Sequence, residues 1–466
     1  MRLWALFLIL SLAVAAPTTL KPPSEDDFYN PPDGYEDEEL GTILKWRTPP
    51  ARIRSIYFPV NVQNTWQMLV RSEDEYGNAT AIVSTIFEPY NANSSRLVAY
   101  NVAEDASSID CSPSYTFEGG GGIGTIIGKA EMILIQGALE LGYYVVSTDY
   151  ESSIGAFTAG PLSGISVLNT IKATLTTSNT TGINPDCEIV LWGYSGGTIP
   201  GGWAAAMQPS YYEELTGQLK GAALGGWVTN ITATAEIIDG TIFAGLTPNA
   251  ITGLAKQYPA INDAINEYIT DKTENEDFNS APDYCLLPSV LHYAYDQFFT
   301  GPDPWAKSGW SILSEERVKT VLNANTLGID ATKEYFPEIP MFVFHGRKDE
   351  VVPFKDAQRV YDVWCDAGIE SFEFATSNST GHILEVIEGS GAALKWISDI
   401  FNGVPPIKGC KQTSRSTNLL YPGAYKGYYE ILTALIENVA GTKIGPSDSE
   451  NVKRWLEPEL KKRGKL

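Results

Sequence analysis

Cys187-Glu188-Ile189-Val190-Leu191-Trp192-Gly193-Tyr194-Ser195-Gly196-Gly197-Thr198-Ile199-Pro200 is the stretch on which the reading of this chain turns. Cys187 to Trp192 is apolar except for Glu188 and reads as a buried strand. Thr198 to Met207 is small and alanine-rich and reads as a helix whose first turn tolerates Pro200. Between them lies Gly193-Tyr194-Ser195-Gly196-Gly197, a G-x-S-x-G sequence in the strand–turn–helix context that such a match requires. Glycines allow a turn tight enough to hold the Ser195 hydroxyl at the sheet edge. The N–H of Gly196 then sits at a helix start, where a developing oxyanion would be met.

Upstream, Arg54 to Val62, Thr65 to Arg71, Thr80 to Phe87 and Leu97 to Tyr100 read as successive strands, an antiparallel start to a sheet. Strand and helix then alternate. Lys129 to Leu141, Leu162 to Leu175, Lys355 to Ala367 and Leu384 to Phe401 read as helices. Tyr143 to Thr148, Leu219 to Trp227, Met341 to Phe344 and Phe372 to Ala375 read as strands. The alternation predicts an α/β fold, a mostly parallel sheet with helices on both faces. Residues 229–338 interrupt it with helical runs alone, which predicts a helical cap inserted over the strand ends. The plainer reading is a second helical domain with no role at the site. Residues 17–228 and 339–409 make the expected core, with an acidic, proline-rich arm over 17–50 that reads as solvated. In that arm Phe28, Tyr29, Ile43, Leu44 and Trp46 are placed to tack it onto the body. Residues 410–466 read as a tail with a helix at Tyr425 to Ala440 and a basic end, Lys461-Lys462-Arg463.

A serine hydroxyl needs a base, and the base needs an orienting acid. The chain has only three histidines. His292 falls in the expected cap beside Tyr293 and Tyr295, as a packed or surface residue. His345 ends a strand and is expected to pack there. His382 opens the last core helix on a loop at a strand's carboxyl end, where the order Ser, acid, His of the α/β-hydrolase arrangement puts the base. The preceding loop, His345 to Pro353, offers Asp349 and Glu350 as acids, and Asp349 lies nearer the turn. Asp356 and Asp362 on the following helix read as solvent-facing. The second oxyanion donor is sought in Asn101 to Ser108. There Asp105 can help through its backbone N–H, or through its side chain if that carboxyl stays protonated. The glycine run at 119–124 lacks the Lys-Ser/Thr of a phosphate loop and reads as a flexible connection. No metal-ligand spacing occurs, so neither metal nor cofactor is expected.

Composition bounds the setting. With 466 residues, 11 Trp and 24 Tyr, the chain can bury more than one simple core. Residues 1–16 carry Arg2, an apolar run and a small-residue end, Ala13-Val14-Ala15-Ala16, which reads as a secretory signal too short for a membrane span. The expected protein is therefore secreted, with no stable membrane anchor. Sequons at Asn78, Asn93, Asn179, Asn230 and Asn378 are candidate glycosylation sites. Five cysteines fit two disulfides and one free thiol, for which Cys187 is the candidate because it opens the buried strand. A formal charge of −23 argues against a nucleic-acid partner, which needs basic surface.

With these residues placed, the chain resembles the secreted yeast lipases of the Candida type, the family in which Candida antarctica lipase A also falls. The resemblance spans nearly the whole chain after residue 16. It is carried by Asp27 to Gly34, Gly41 to Leu44, Glu104-Asp105, Asp110 to Tyr115, Gly142 to Val146 and Asp149-Tyr150. It continues through Leu191 to Gly197, Gly202 to Ala206, Gly225 to Thr234, His345-Gly346 with Asp349 and Val352-Pro353, and Gly381-His382. The resemblance implies an α/β-hydrolase fold with a helical cap (lid) and a C-terminal flap, and hydrolysis of triacylglycerols and other esters. It implies Ser195, Asp349 and His382 as triad, Asp105 and Gly196 at the oxyanion hole, and disulfides Cys111–Cys285 and Cys365–Cys410. Relatives usually have glycine where this chain has Ser152, and Pro200 and the 119–124 run are also departures.

The function expected is a secreted serine lipase or carboxylesterase acting on lipid esters at a lipid–water interface. Ile237, Ile238, Ile242, Phe243, Leu246, Ile251 and Leu254 would line an acyl tunnel, or form the cap's own core. Acyl transfer to alcohols is a second reading, and a non-catalytic hydrolase-fold binding protein a third.

Overall fold

The computed structural model describes residues 20–119, 122–270, 277–329, 335–446 and Pro458. The leader expected over 1–16, Gly120 and Gly121 of the glycine run, and the basic end at 461–463 lie outside the described residues.

The chain begins at the sheet edge. Strand β1 (Ile43–Arg47) pairs antiparallel with β4 (Asn64–Glu73). The arm is therefore ordered rather than solvated, because its aromatics have a place to go. Phe28, Tyr29, Tyr35 and Leu44 pack on Leu69, Ala81 and Val83. Arg47 meets Asp26 at 2.6 Å. The single strand expected over 54–62 is instead a two-residue pair, β2 (Arg54–Ser55) with β3 (Phe58–Pro59), outside the main sheet. Ile56 turns the chain with φ 54°, and Pro59 has no N–H for a longer ladder.

Next come β5 (Ala79–Glu88) and β6 (Asn93–Asn101), the short helix α1 (Pro113–Thr116), α2 (Ile126–Glu140) and β7 (Tyr143–Thr148). They are followed by α3 (Gly160–Leu175), α4 (Ser178–Thr181), β8 (Glu188–Tyr194), α5 (Thr198–Tyr211) and β9 (Leu219–Gly225). The segment between β9 and the next strand, as far as described, carries helices α6 (Ile231–Ile238), α7 (Leu246–Gln257), α8 (Pro259–Tyr268), α9 (Leu286–His292) and α10 (Glu316–Ala324). The sheet resumes with β10 (Met341–Gly346), α11 (Phe354–Asp366), β11 (Ser371–Ser377), α12 (His382–Phe401), β12 (Gly409–Arg415) and α13 (Ala424–Ala440).

The ten-stranded sheet runs β1-β4-β5-β7-β6-β8-β9-β10-β11-β12. From β7 to β12 every neighbouring pair is parallel. Parallel strands covered on both sides must be apolar throughout, which is why β8 and β10 read as continuous hydrophobic runs. One face packs on α3, α5 and α11 through Ile165, Leu168, Trp203, Val360 and Trp364. The other packs on α2, α12 and α13 through Met132, Ile135, Leu394, Trp396 and Ala424. The expected boundary at 410 falls inside β12, so part of the expected tail is the last sheet strand. Its composition hid it, since Gly409 to Arg415 is polar and mostly exposed, as suits an edge. Cys365–Cys410 bonds it to α11.

Strand order places the chemistry. After β6 the chain moves to β7 on one side, then returns to β8 on the other. Loops leaving β6 and β8 therefore diverge from adjacent strand ends and leave a crevice between them, the usual ligand position of an open α/β sheet. Register aligns Asn101 with Gly193 there.

Candidate active site

Ser195 stands at φ 51°, in the left-handed region that side chains avoid. The elbow holds it there because the chain doubles back at once. A β-carbon on Gly193 would lie 2.4 Å from the carbonyl oxygen of Gly197, so no larger residue fits. The strained turn presents Ser195 Oγ 2.7 Å from His382 Nε2.

His382 is the first residue of α12, and three neighbours hold it. Its Nδ1 lies 2.8 Å from Asp349 Oδ2. Its backbone N–H donates to Glu350 Oε2 at 2.9 Å, and the Tyr194 hydroxyl donates to its carbonyl at 2.6 Å. The Tyr194 ring also lies 5.2 Å from the imidazole. Glu350, the rival acid in the sequence, thus caps the helix that carries the base. Behind the loop, Thr380 Oγ1 donates to Glu385, and Asn418 Nδ2 donates to Glu385 Oε1 and to the Ala375 carbonyl. Asn418, from the expected tail, buttresses the histidine loop.

Asp349 is fully buried, yet its charge is favoured. Burial raises its pKa, but hydrogen bonds from His345 and His382, and the proximity of those rings, pull it well below the ordinary carboxylate range. The N–H groups of Val351 and Val352 donate to its Oδ1 at 3.0 and 2.7 Å. His345 Nε2 stands 3.3 Å from Oδ2. The sequence placed His345 as a packing residue and missed this contact. His292, by contrast, ends α9 and stacks on Tyr284.

Across the crevice, Asp105 has φ 50°. A β-carbon on Gly196 would lie 1.7 Å from Asp105 Oδ1, so only glycine lets that carboxyl come against the backbone following the serine. Burial lifts the Asp105 pKa to about 7 against a smaller opposing pull from His382, and Oδ1 has no protein partner. A protonated carboxyl there donates, and with the Gly196 N–H it makes a pair suited to an oxyanion.

One face of α7 supports this loop. Asn249 Nδ2 donates to the Asp105 carbonyl at 3.0 Å. Thr252 Oγ1 meets Ser107 Oγ at 2.7 Å, and Lys256 Nζ donates to the Ser107 carbonyl. Polar residues at i, i+3 and i+7 on an otherwise amphipathic helix were the available signal. Cys111–Cys285 ties the same region to the N-terminus of α9. Cys187 is free and buried.

A cavity at the serine is lined by Asp105, Ser195, Gly196, Ile199, Val228, Ile238, Leu246, Val351 and Val352. A second, within the helical segment, is lined by Ile251, Leu254, Ile261, Ile265, Phe299 and Leu313 among others. Ile231, Ala235, Thr247 and Ala250 border both, so the two apolar cavities lie side by side, one at Ser195 and one among the helices. Of the expected lining, Ile238 and Leu246 face the first cavity and Ile251 and Leu254 the second. Ile237 and Ile242 are exposed instead, and Phe243 packs against the sheet-side core.

Two further expectations meet a different structure. Asp356 is buried, because Asn230 Nδ2 donates to it at 3.0 Å; Asp362 is exposed. The same Asn230 caps α6 by accepting from Ala233 N–H, so its amide is engaged where a glycan would attach. Asn78, Asn93, Asn179 and Asn378 are exposed. Among the described residues no group of three or more His, Cys, Asp or Glu is placed to hold a metal ion. No helix among them is long and apolar enough to cross a membrane.

Residues 119–409 match the family model described as secretory lipase. Lipase 1 of Candida albicans is 45% identical over 454 residues, covering 97% of this chain and 97% of the relative. Lipase 2 of the same organism is 45% identical over 438 residues, 94% of each. The structure of Candida antarctica lipase A in its closed state superposes with a TM-score of 0.76 at 25% identity, covering 89% of this chain and 95% of that one.

Proposed function

The chain belongs to the secretory lipase family, and on that premise we propose that it hydrolyses fatty-acyl esters, triacylglycerols among them, through an acyl-enzyme on Ser195. The family makes it a hydrolase of the lipase and esterase class, and its fold is that of the α/β hydrolases. One observation carries the finer reading. A serine, an imidazole and a carboxylate stand in hydrogen-bond series, 2.7 and 2.8 Å apart, with the serine lining an apolar cavity.

In this mechanism His382 Nε2 takes the Ser195 proton as Oγ attacks the ester carbonyl. The carbonyl electrons move onto oxygen, which accepts from the Gly196 N–H and the Asp105 carboxyl. Collapse breaks the ester C–O bond, and His382 returns the proton to the departing alcohol. Water then repeats the attack and frees the fatty acid. The acyl chain lies along Leu246 and Ile238 toward Ile251 and Leu254, so the 229–338 segment acts as a cap. The outer face of α12 supports a lipid–water interface as the working surface, since Ile383, Leu384 and Ile387 are exposed beside the base. The leader at 1–16, the sequons and the two disulfides support secretion. A non-catalytic binding role gains no support, because no member of the series is displaced.

Ser195→Ala tests the reading. Hydrolysis of p-nitrophenyl esters and emulsified triglyceride should fall by roughly 10⁴-fold or more, with circular dichroism unchanged. Undiminished hydrolysis would remove Ser195 from the reaction.

A further inference from the structure

His345 is the last residue but one of β10, and its side chain is wholly buried. Its Nδ1 accepts from the backbone N–H of Trp227 at 3.2 Å. A ring nitrogen that accepts carries no proton, so in the neutral imidazole Nε2 carries it. Two acceptors face Nε2: the Val352 carbonyl at 3.2 Å and Asp349 Oδ2 at 3.3 Å.

An ionised carboxylate has about four lone-pair positions. At Asp349 four donors face them. Val351 and Val352 N–H take Oδ1, and His382 Nδ1–H and His345 Nε2–H share Oδ2. The final torsion of an aspartate is soft and nearly two-fold. Two donors on one oxygen do not fix the plane of the group. The second imidazole adds a fixed point on the other oxygen, from a rigid strand. The remaining polar groups around His382 do not serve this purpose, for Glu350 and Tyr194 bind its backbone.

We propose that His345 is a positioning residue for the hydrolysis: its Nε2–H holds Asp349 Oδ2 where it keeps His382 in the Nδ1–H tautomer, with Nε2 free to take the serine proton. The inference rests on the triad reading above. His345 touches neither Ser195 nor the cavity beside it, so it acts only through Asp349. Its own tautomer is set by the Trp227 N–H, which couples the strand end of β9 to the acid.

His345→Leu and His345→Gln, made in the full chain, separate the possibilities. The leucine removes the donor and keeps the apolar bulk; the glutamine carries an N–H to about the place of Nε2. Leucine should lower kcat roughly 10- to 100-fold with KM within about twofold, and glutamine should restore most of the rate. Equal rates in both variants, a change carried by KM, or no change in kcat overturns the proposal. Should the leucine variant fail to fold, histidine-selective ¹⁵N NMR of the unaltered protein decides. With three histidines, assignment follows by exclusion against His292→Ala and His382→Ala. His345 protonated at Nε2 supports the assignment, and protonation at Nδ1 ends it. Ser195→Ala keeps the two readings apart: hydrolysis retained there sinks the triad, whereas hydrolysis lost there with position 345 silent sinks only the positioning role.

Discussion

Asp349 and Asp105 are buried aspartates on opposite sides of one imidazole, and their surroundings shift their pKa values in opposite directions. The loop after β10 surrounds Asp349 with four donors, and its pKa is depressed. The loop after β6 buries Asp105 and leaves Oδ1 without a hydrogen-bond partner, and its pKa rises to about 7. Its neighbours follow the second pattern. Burial pushes Glu104 and Glu151 well above the usual range, Glu104 raised further by Asp149 and Glu151 by Glu104, and Asp149 up to about 7. Burial raises all of these groups; at Asp349 alone do two imidazoles, by hydrogen bond and by charge, outweigh it. In the proposed mechanism the contrast supplies one carboxylate to orient the base and one carboxylic acid to donate to the oxyanion.

The sharpest break comes from removing the charge at Asp349 without changing its shape. In Asp349→Asn the amide presents N–H to His382 and selects the wrong tautomer, so kcat should fall about 10³- to 10⁴-fold. Steady-state kinetics against Ser195→Ala as the floor would measure it. A fall under tenfold would show that the donors around the acid matter little.

Asp105 gives the next effect and a pH signature. Asp105→Leu should cost about 10²- to 10³-fold in kcat. In the unaltered enzyme the carboxyl donates only while protonated, so turnover should decline as pH rises through about 7. Asp105→Asn keeps a donor that cannot titrate, and that decline should flatten. An unchanged profile in the asparagine variant would leave the donation to the Gly196 N–H alone.

The smallest effect tests strain in the carboxyl-rich region. Ser152 has φ 67°, and its hydroxyl is buried without a partner. A glycine at this position would relieve both costs. Ser152→Gly should stabilise by about 0.5–1 kcal/mol, read as a higher urea midpoint with unchanged slope. A lower midpoint would mean that the hydroxyl has a partner in solution.

Local pattern made much of this legible. The elbow at 193–197, the alternation of strand and helix, and the helical run over 229–338 could be read because each depends on neighbours in the chain. Where the reading departed, long-range contacts intervened. The acidic arm is ordered because Phe28 and Tyr29 find Leu69 and Val83. The polar strand at 409–415 exists because β11 offers an edge. Asp356 is buried because Asn230 arrives from the far side of β9.

By itself the sequence determined the order of the parts: a serine at the turn after one strand, a carboxyl on the loop after another, and a histidine opening the last core helix. With three histidines in the whole chain, few other arrangements were available. Only the tertiary structure decided what each part experiences. Which carboxyl holds a proton, which histidine touches the acid, and which helix face braces the loop of Asp105 depend on groups brought together from distant segments. Protonation and tautomer follow from those surroundings, and no stretch of the chain contains them.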